Sequence, residues 1–340
     1  MLHKKVSMDT IARHLGLSRN AVWLALAGKS GVSLETRQRV MDTAAALGYR
    51  RPTRTVTTKT TGHIGLVLSE AIFHETSFFG PIIMHLQRQV AALGANLTIQ
   101  PVSDKDNASA RLPALITEGR VDGIIILSAM PREIIEAIGV RIPTVVVDHD
   151  DALVDVDQVG TANRLGAYRG VHYLTSLGHR NIGFIGRGLD IPSYRARFIG
   201  YREALYDMQL PFSEAWAWKD AEQSDPALVQ RLKSVDDWPS AWFCANDALA
   251  FHLVRALQAL GISVPQGCSV IGFDNQMFAE MSNPPLTTLG IDRELFATVA
   301  VQQLFERIGD PMRAVRSVVL NPKLLVRQST AEVTVVVPSI

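Results

Sequence analysis

The chain has 340 residues, 47% of them apolar and 20% charged, with a formal net charge of +1 at pH 7. That length allows two or three domains, each with its own core, and the composition is that of an ordinary globular protein. No apolar run reaches the roughly 20 residues that a bilayer-spanning helix needs, and no apolar segment follows the lysines of the first ten residues, so no secretory signal is visible there. Two cysteines, Cys244 and Cys268, make neither a disulfide framework nor a metal-ligand spacing. They read as buried thiols of a reducing compartment, so the expectation is a cytoplasmic protein. The charge is unevenly placed. Residues 1–60 hold eleven Lys and Arg against three acids, a balance of +8, and the other 280 hold 23 bases against 30 acids, a balance of −7. A small basic head on a mildly acidic body points the head toward a polyanion.

In chain order, Met8, Ile11, Ala12 and Leu15 form one stripe of a helix that Gly16 ends. Ser18 caps a second helix with Val22, Ala25 and Leu26 inward. Gly28 to Gly31 form a turn, and Ser33 caps a third helix that carries Val40, Ala44 and Leu47 inward and ends at Gly48. Two helices joined by a tight turn through Gly16 fit a helix-turn-helix. From Arg51 to Gly62 the sequence has six Thr, three bases and Pro52, a linker by composition. Strand-like runs then alternate with helical stretches. The predicted strands are Ile64–Leu68, Leu97–Ile99, Gly123–Leu127, Thr144–Val147, Ile182–Ile185, Ala241–Cys244 and Ser269–Phe273. The predicted helices include Pro81–Leu93, Leu165–Leu177, Arg197–Met208, Asp247–Leu260 and Leu295–Ile308. Continuous apolar strands separated by helices imply parallel sheets covered on both faces. Seven or more such units exceed one comfortable open sheet, so the α/β part is expected as two similar lobes with a cleft between them. Ligands in such sheets sit beyond the carboxyl ends of the strands.

Taken in order, the stretches MDTIARHLGLSRNAVWLALAG, VSLETRQRVMDTAAALGY, HIGLVLS, LGHRNIGFIG, RARFIGYREAL, CANDALAFHLVRAL, SVIGFDN and NPPLTTL resemble the LacI/GalR family of bacterial transcription regulators, from about Val6 to Thr330. The resemblance implies an all-α headpiece at 1–50, a hinge linker at 51–61 and a core at 62–340 like a periplasmic binding protein. Within that core it implies an N-lobe of about 62–160 and 290–320 and a C-lobe of about 161–289 and 321–330, with crossings near Gly160, Leu289 and Leu320. It further implies a homodimeric repressor that binds a pseudo-palindromic operator in double-stranded DNA and responds to a small-molecule effector, a sugar, with no cofactor or metal.

At the DNA end, the second helix offers Arg19, able to pair bidentately with guanine, and Asn20, able to do so with adenine. Ser18 opens that helix, and Thr10, Lys29 and Arg37 are phosphate contacts that set register. Two departures from the family pattern stand out. Trp23-Leu24 replaces Ser-Arg, so Leu24 offers only apolar contact, to a thymine methyl for instance, and Trp23 either contacts DNA or packs against the linker or the partner chain. The linker lacks the family's Asn and its minor-groove Leu, and its Thr-rich sequence predicts a non-helical or poorly ordered segment.

In the core, Asp148, Arg197 with Ser193 before it, Asn246 with Asp247, and Asp274 stand at strand ends beside helix starts and match family positions that contact effectors. Carboxylates, an amide and a guanidinium together suit vicinal hydroxyls. Phe78, Phe79 and Trp218 are candidates for apolar walls against a sugar ring. Asp247 is either a helix cap or a contact, the two phenylalanines divide between core and pocket, and one of Trp216 and Trp218 faces the core. Ala162 stands where the family has an acid before Asn163.

No enzyme constellation is visible. His-Glu-x-x-His, Gly-x-Ser-x-Gly and zinc-like Cys/His clusters are absent, Gly28-Lys29-Ser30 lacks the first glycine of a phosphate loop, and Gly183 to Gly188 has the wrong spacing for a dinucleotide. A solute-binding protein for transport needs a leader and no basic head, the reverse of this chain. The alternative kept open is a ligand sensor whose headpiece has lost or altered sequence-specific DNA binding. The short Val-rich tail after Thr330 has no heptads, so no tetramerising helix is expected.

Overall fold

A computed structural model describes residues 8–18, 21–22, 25, 32–47, 61–108, 112–149 and 151–333. The chain divides into two units, Met1–Lys59 and Thr60–Ile340. In the first, helix Met8–Leu15 and helix Leu34–Ala46 flank a helical segment through Ala21, Val22 and Ala25. Ile11, Ala12, Val22, Ala25, Val40 and Ala44 make its small core, with Leu15, Leu17, Val32 and Leu47 packed on it. Gly16 takes φ +67°, a left-handed turn that ends the first helix. The Ser18 hydroxyl accepts the Ala21 N–H at 3.1 Å, and the Ser33 hydroxyl accepts the Thr36 N–H at 3.1 Å, so both serines cap the helices they precede.

The second unit holds two six-stranded sheets. The first contains β1 (His63–Ser69), β2 (Asn96–Val102), β3 (Gly123–Leu127), β4 (Thr144–Val147), β5 (Asp157–Thr161) and β11 (Ser317–Leu320) in the order β11-β5-β4-β3-β1-β2, all parallel. The second contains β6 (Ile182–Ile185), β7 (Ala217–Trp218), β8 (Ala241–Cys244), β9 (Ser269–Asp274), β10 (Thr287–Gly290) and β12 (Lys323–Leu325) in the order β12-β10-β9-β8-β6-β7. Its pairs are parallel except for the antiparallel edge β10–β12. Every residue of β3, β4, β6, β8 and β9 is buried, which is why these runs are largely apolar rather than alternating.

The chain passes from the first sheet to the second after β5, returns after β10 with helix Arg293–Gly309, and crosses again between β11 and β12. The returning helix packs on helix Phe79–Ala92 and on β3, β4 and β5. Its end is pinned by the buried carboxylate of Asp157. Arg307 Nε and Nη2 donate to it at 2.9 and 3.0 Å, Arg313 Nη2 at 2.7 Å and the Arg316 N–H at 2.8 Å. In the second lobe, helix Pro192–Asp207 lies against helix Asn163–Ser176, and Gly200 sits on the Arg164 carbonyl with no room for a Cβ. Cys244 and Cys268 are buried and unbridged.

Candidate functional site

A cleft of about 470 Å³ opens between the lobes at the carboxyl ends of the strands. Four non-glycine residues at those ends hold left-handed backbone, Asn275 (φ +53°) and three more: Ser128 after β3 (φ +69°), Asp148 after β4 (φ +58°) and Asp274 closing β9 (φ +96°). Such conformations cost on the order of 1–3 kcal/mol each and persist only where the surroundings impose them. Ser128, Asp148 and Asp274 line the cleft.

The centre of the site is Arg197, in the second turn of the helix that begins at Pro192. Its Nε donates to Asn163 Oδ1 at 2.8 Å and its Nη1 to the Ala245 carbonyl. Nη2 forms an ion pair with Asp274 Oδ1 at 2.8 Å, and the guanidinium lies 3.8 Å over the Phe273 ring. Both charges are almost fully out of water, at 3% and 7% side-chain exposure, so each depends on the other. Burial still pushes the Asp274 carboxyl upward, with Arg197 opposing the shift. Asn246 caps helix Asp247–Ala259 through the Leu249 N–H at 2.9 Å, and its amide nitrogen donates to the Tyr194 hydroxyl at 2.7 Å. Burial raises that phenol to about 12. Asp148, reaching in from the first lobe, is pushed up to about 7, first by burial and further by Asp274, against the pull of Arg197.

Seven of the eight expected core residues, Phe78, Phe79, Asp148, Ser193, Arg197, Asn246 and Asp274, line this cleft. Trp218 does not. It is 2% exposed, donates its indole N–H to the Ala215 carbonyl at 2.9 Å and packs on Trp242 at 4.5 Å. Trp216 is buried as well, because it ends a 3-10 turn before β7 begins and the two tryptophans share no strand alternation. Phe78 and Phe79 do not divide either. Both are core residues whose edge-to-face rings, 4.9 Å apart, also wall the cleft. Asp247 is not the helix cap. It lies fully buried on Gly272, which has no room for a Cβ, and accepts from Thr288 Oγ1 at 2.6 Å and the Gln276 N–H at 2.7 Å. Burial raises its carboxyl to about 8.

Other cleft residues carry no mark in the sequence. Glu75 accepts the N–H groups of Ser77, Phe78 and Phe79 and the Ser77 hydroxyl. His252 is held through Nδ1 by Asp225 at 2.6 Å, and Gln276 donates to Asp274 at 3.4 Å. Asn163, the partner of Arg197, could have been suspected only from its place at a helix start.

In the headpiece, Thr10 and Arg37 are half-buried, and the Ser18 hydroxyl is engaged as a cap. Arg19, Asn20, Trp23, Leu24, Lys29 and the linker, with its expected lack of helix, lie outside the described residues. No group of three or more metal-ligating side chains occurs among the described residues, and no helix there is long and apolar enough to cross a membrane.

Residues 171–330 match the family described as periplasmic binding protein-like domain. The chain is 26% identical over 96% of its length to the HTH-type transcriptional repressor PurR of Mannheimia succiniciproducens, covering 99% of that protein. It is 27% identical over 95% of its length to the ribose operon repressor of Haemophilus influenzae, covering 98% of it. Among solved structures, the cellobiose complex of the transcriptional regulator CelR superposes with a TM-score of 0.66 at 25% identity, covering 95% of this chain and 99% of that one.

Proposed function

Because the chain belongs to the LacI/GalR family of transcriptional regulators, we propose that it is a cytoplasmic, homodimeric repressor whose grip on a pseudo-palindromic operator is set by a sugar bound between its lobes. Its relatives are repressors, and it is a regulator rather than an enzyme. The observation that carries the proposal is the meeting of Asp148 from one lobe with Arg197, Asn246 and Asp274 from the other in a single cleft. Two carboxylates, an amide and a guanidinium at strand ends are a grip for hydroxyl groups. The domain reading puts the DNA-binding part at 1–50, a hinge at 51–61 and the effector core at 62–340. In the headpiece, Arg19 and Asn20 read base edges in the major groove, Trp23 and Leu24 add apolar contact, and Thr10, Ser18, Lys29 and Arg37 set the register on phosphates. Effector binding favours one arrangement of the lobes over the other, and that difference in affinity moves the DNA-binding equilibrium. Selection of duplexes from a randomised DNA pool by the full-length protein tests this reading. An inverted repeat is expected, and purely non-specific, steeply salt-dependent binding would remove the sequence-specific regulator.

A further inference from the structure

The cleft holds acceptors that lack donors, while its central guanidinium is fully engaged by the protein. On the donor side, Arg197 directs Nε at Asn163, Nη1 at the Ala245 carbonyl and Nη2 at Asp274. Arg187, exposed at the rim, directs Nη1 at Gln223. On the acceptor side, Gln276 Oε1 is buried without a hydrogen-bond partner, whereas Asp274 Oδ1 is met by Arg197 at 2.8 Å. The Asp148 carboxylate lines the cleft with no donor from the described residues. Glu75 is the contrast, since three backbone N–H groups already satisfy it.

Buried acceptors without donors are costly, and a ligand that brings O–H or N–H groups recovers that cost. A ligand that brings an anion meets like charge and a guanidinium already committed to protein acceptors. We propose that the cleft selects polyhydroxy ligands that are uncharged or carry an amine, with Asp148 seating the ligand's strongest donor, and that it rejects phosphorylated and carboxylated ones. This rests on the reading of the cleft as the effector site. The upward shift of Asp148 points the same way, since burial there outweighs the pull of Arg197.

Calorimetric titration of the full-length protein with matched sets decides the matter: glucose, glucosamine, glucose 6-phosphate and gluconate, then ribose and ribose 5-phosphate. A neutral or amino member is expected to bind at least about tenfold more tightly than its anionic counterpart. Asp148→Asn is expected to weaken the amino sugar more than its neutral parent. Equal or tighter binding of a phosphorylated or carboxylated member overturns the proposal, and so does silence of the whole set. If Asp148→Asn fails to fold, the matched pairs with the natural protein decide alone. The DNA selection keeps the two readings apart. Recovery of an inverted repeat together with anion preference removes the ligand class and leaves the regulator, whereas neutral-sugar binding without DNA specificity does the reverse.

Discussion

The two lobes build their halves of the cleft in different ways. The second lobe arrives wired. Arg197 is fixed by Asn163, Ala245 and Asp274, Asn246 is fixed between Tyr194 and the start of its own helix, and Asp247 ties the β9 loop to β10. The first lobe brings an aromatic wall, Phe78 and Phe79, and the carboxylate of Asp148. Its own dense charge network, around Asp157, lies away from the cleft lining and anchors helix Arg293–Gly309. One half of the site is therefore ordered before any ligand comes, so little reorganisation is needed there on binding. The other half offers a surface to close against.

The sharpest way to break this contrast is Asp157→Ala, which strips from the buried guanidinium groups of Arg307 and Arg313 in the first lobe the carboxylate that they share. It is expected to destabilise the fold by about 3–5 kcal/mol in urea unfolding, and a loss under about 1 kcal/mol would deny the network its anchoring role. Arg197→Ala comes next. Asp274 can take up a proton once its partner is gone, so the expected cost is smaller, about 2–3 kcal/mol. Effector response should vanish while operator binding persists, and joint loss of both would mean that Arg197 serves folding rather than ligand.

A pH series sharpens the comparison further. Asp148 and Asp247 are raised to about 7 and about 8 from an ordinary value near 3.8, so their stabilising contribution is full below the ordinary value and is lost as pH rises through 7 and 8. Paired carboxylates such as Asp225 are lowered and act in the opposite sense. The measurement is thus a difference: relative to the natural protein, Asp148→Asn should lose less stability between pH 5 and pH 8.5, by on the order of 1–2 kcal/mol. Parallel pH profiles would contradict the raised carboxyl. The smallest effect is expected for Thr288→Val, which removes one donor from Asp247 on the second-lobe side. About 1 kcal/mol should be lost, and an unchanged midpoint would show that the Gln276 N–H alone suffices.

Much of this was legible in the chain. Runs such as Gly123–Leu127 and Thr144–Val147 announce buried parallel strands because a strand covered on both faces has no polar side to show. Five strands were missed: β7, β11 and β12 because two to four residues at a sheet edge carry too little pattern, and the interior β5 (DQVGT) and β10 (TTLG) because polar residues and glycine interrupt the apolar run. Polar residues directly after a strand were findable, because strand ends are where such sheets expose side chains to a ligand. Trp218 misled because alternation was assumed across a break, the turn at Glu214–Trp216. Tyr194, Gln276 and His252 were silent because each gains its meaning from a partner that no local pattern names.

By itself the sequence determined the alternation of apolar strands and amphipathic helices, the basic head and the capped turns at Ser18 and Ser33. Those follow from local physics: burial demands apolar runs, and helix starts demand acceptors. Only the tertiary structure decided which strands are neighbours, that β12 runs antiparallel, that Asp157 finds Arg307 across 150 residues, and that Trp218 goes inward while Asn163 steadies Arg197. Such choices depend on matching shapes and charges distant in the chain, and a desolvated charge settles beside whichever partner the packing brings near.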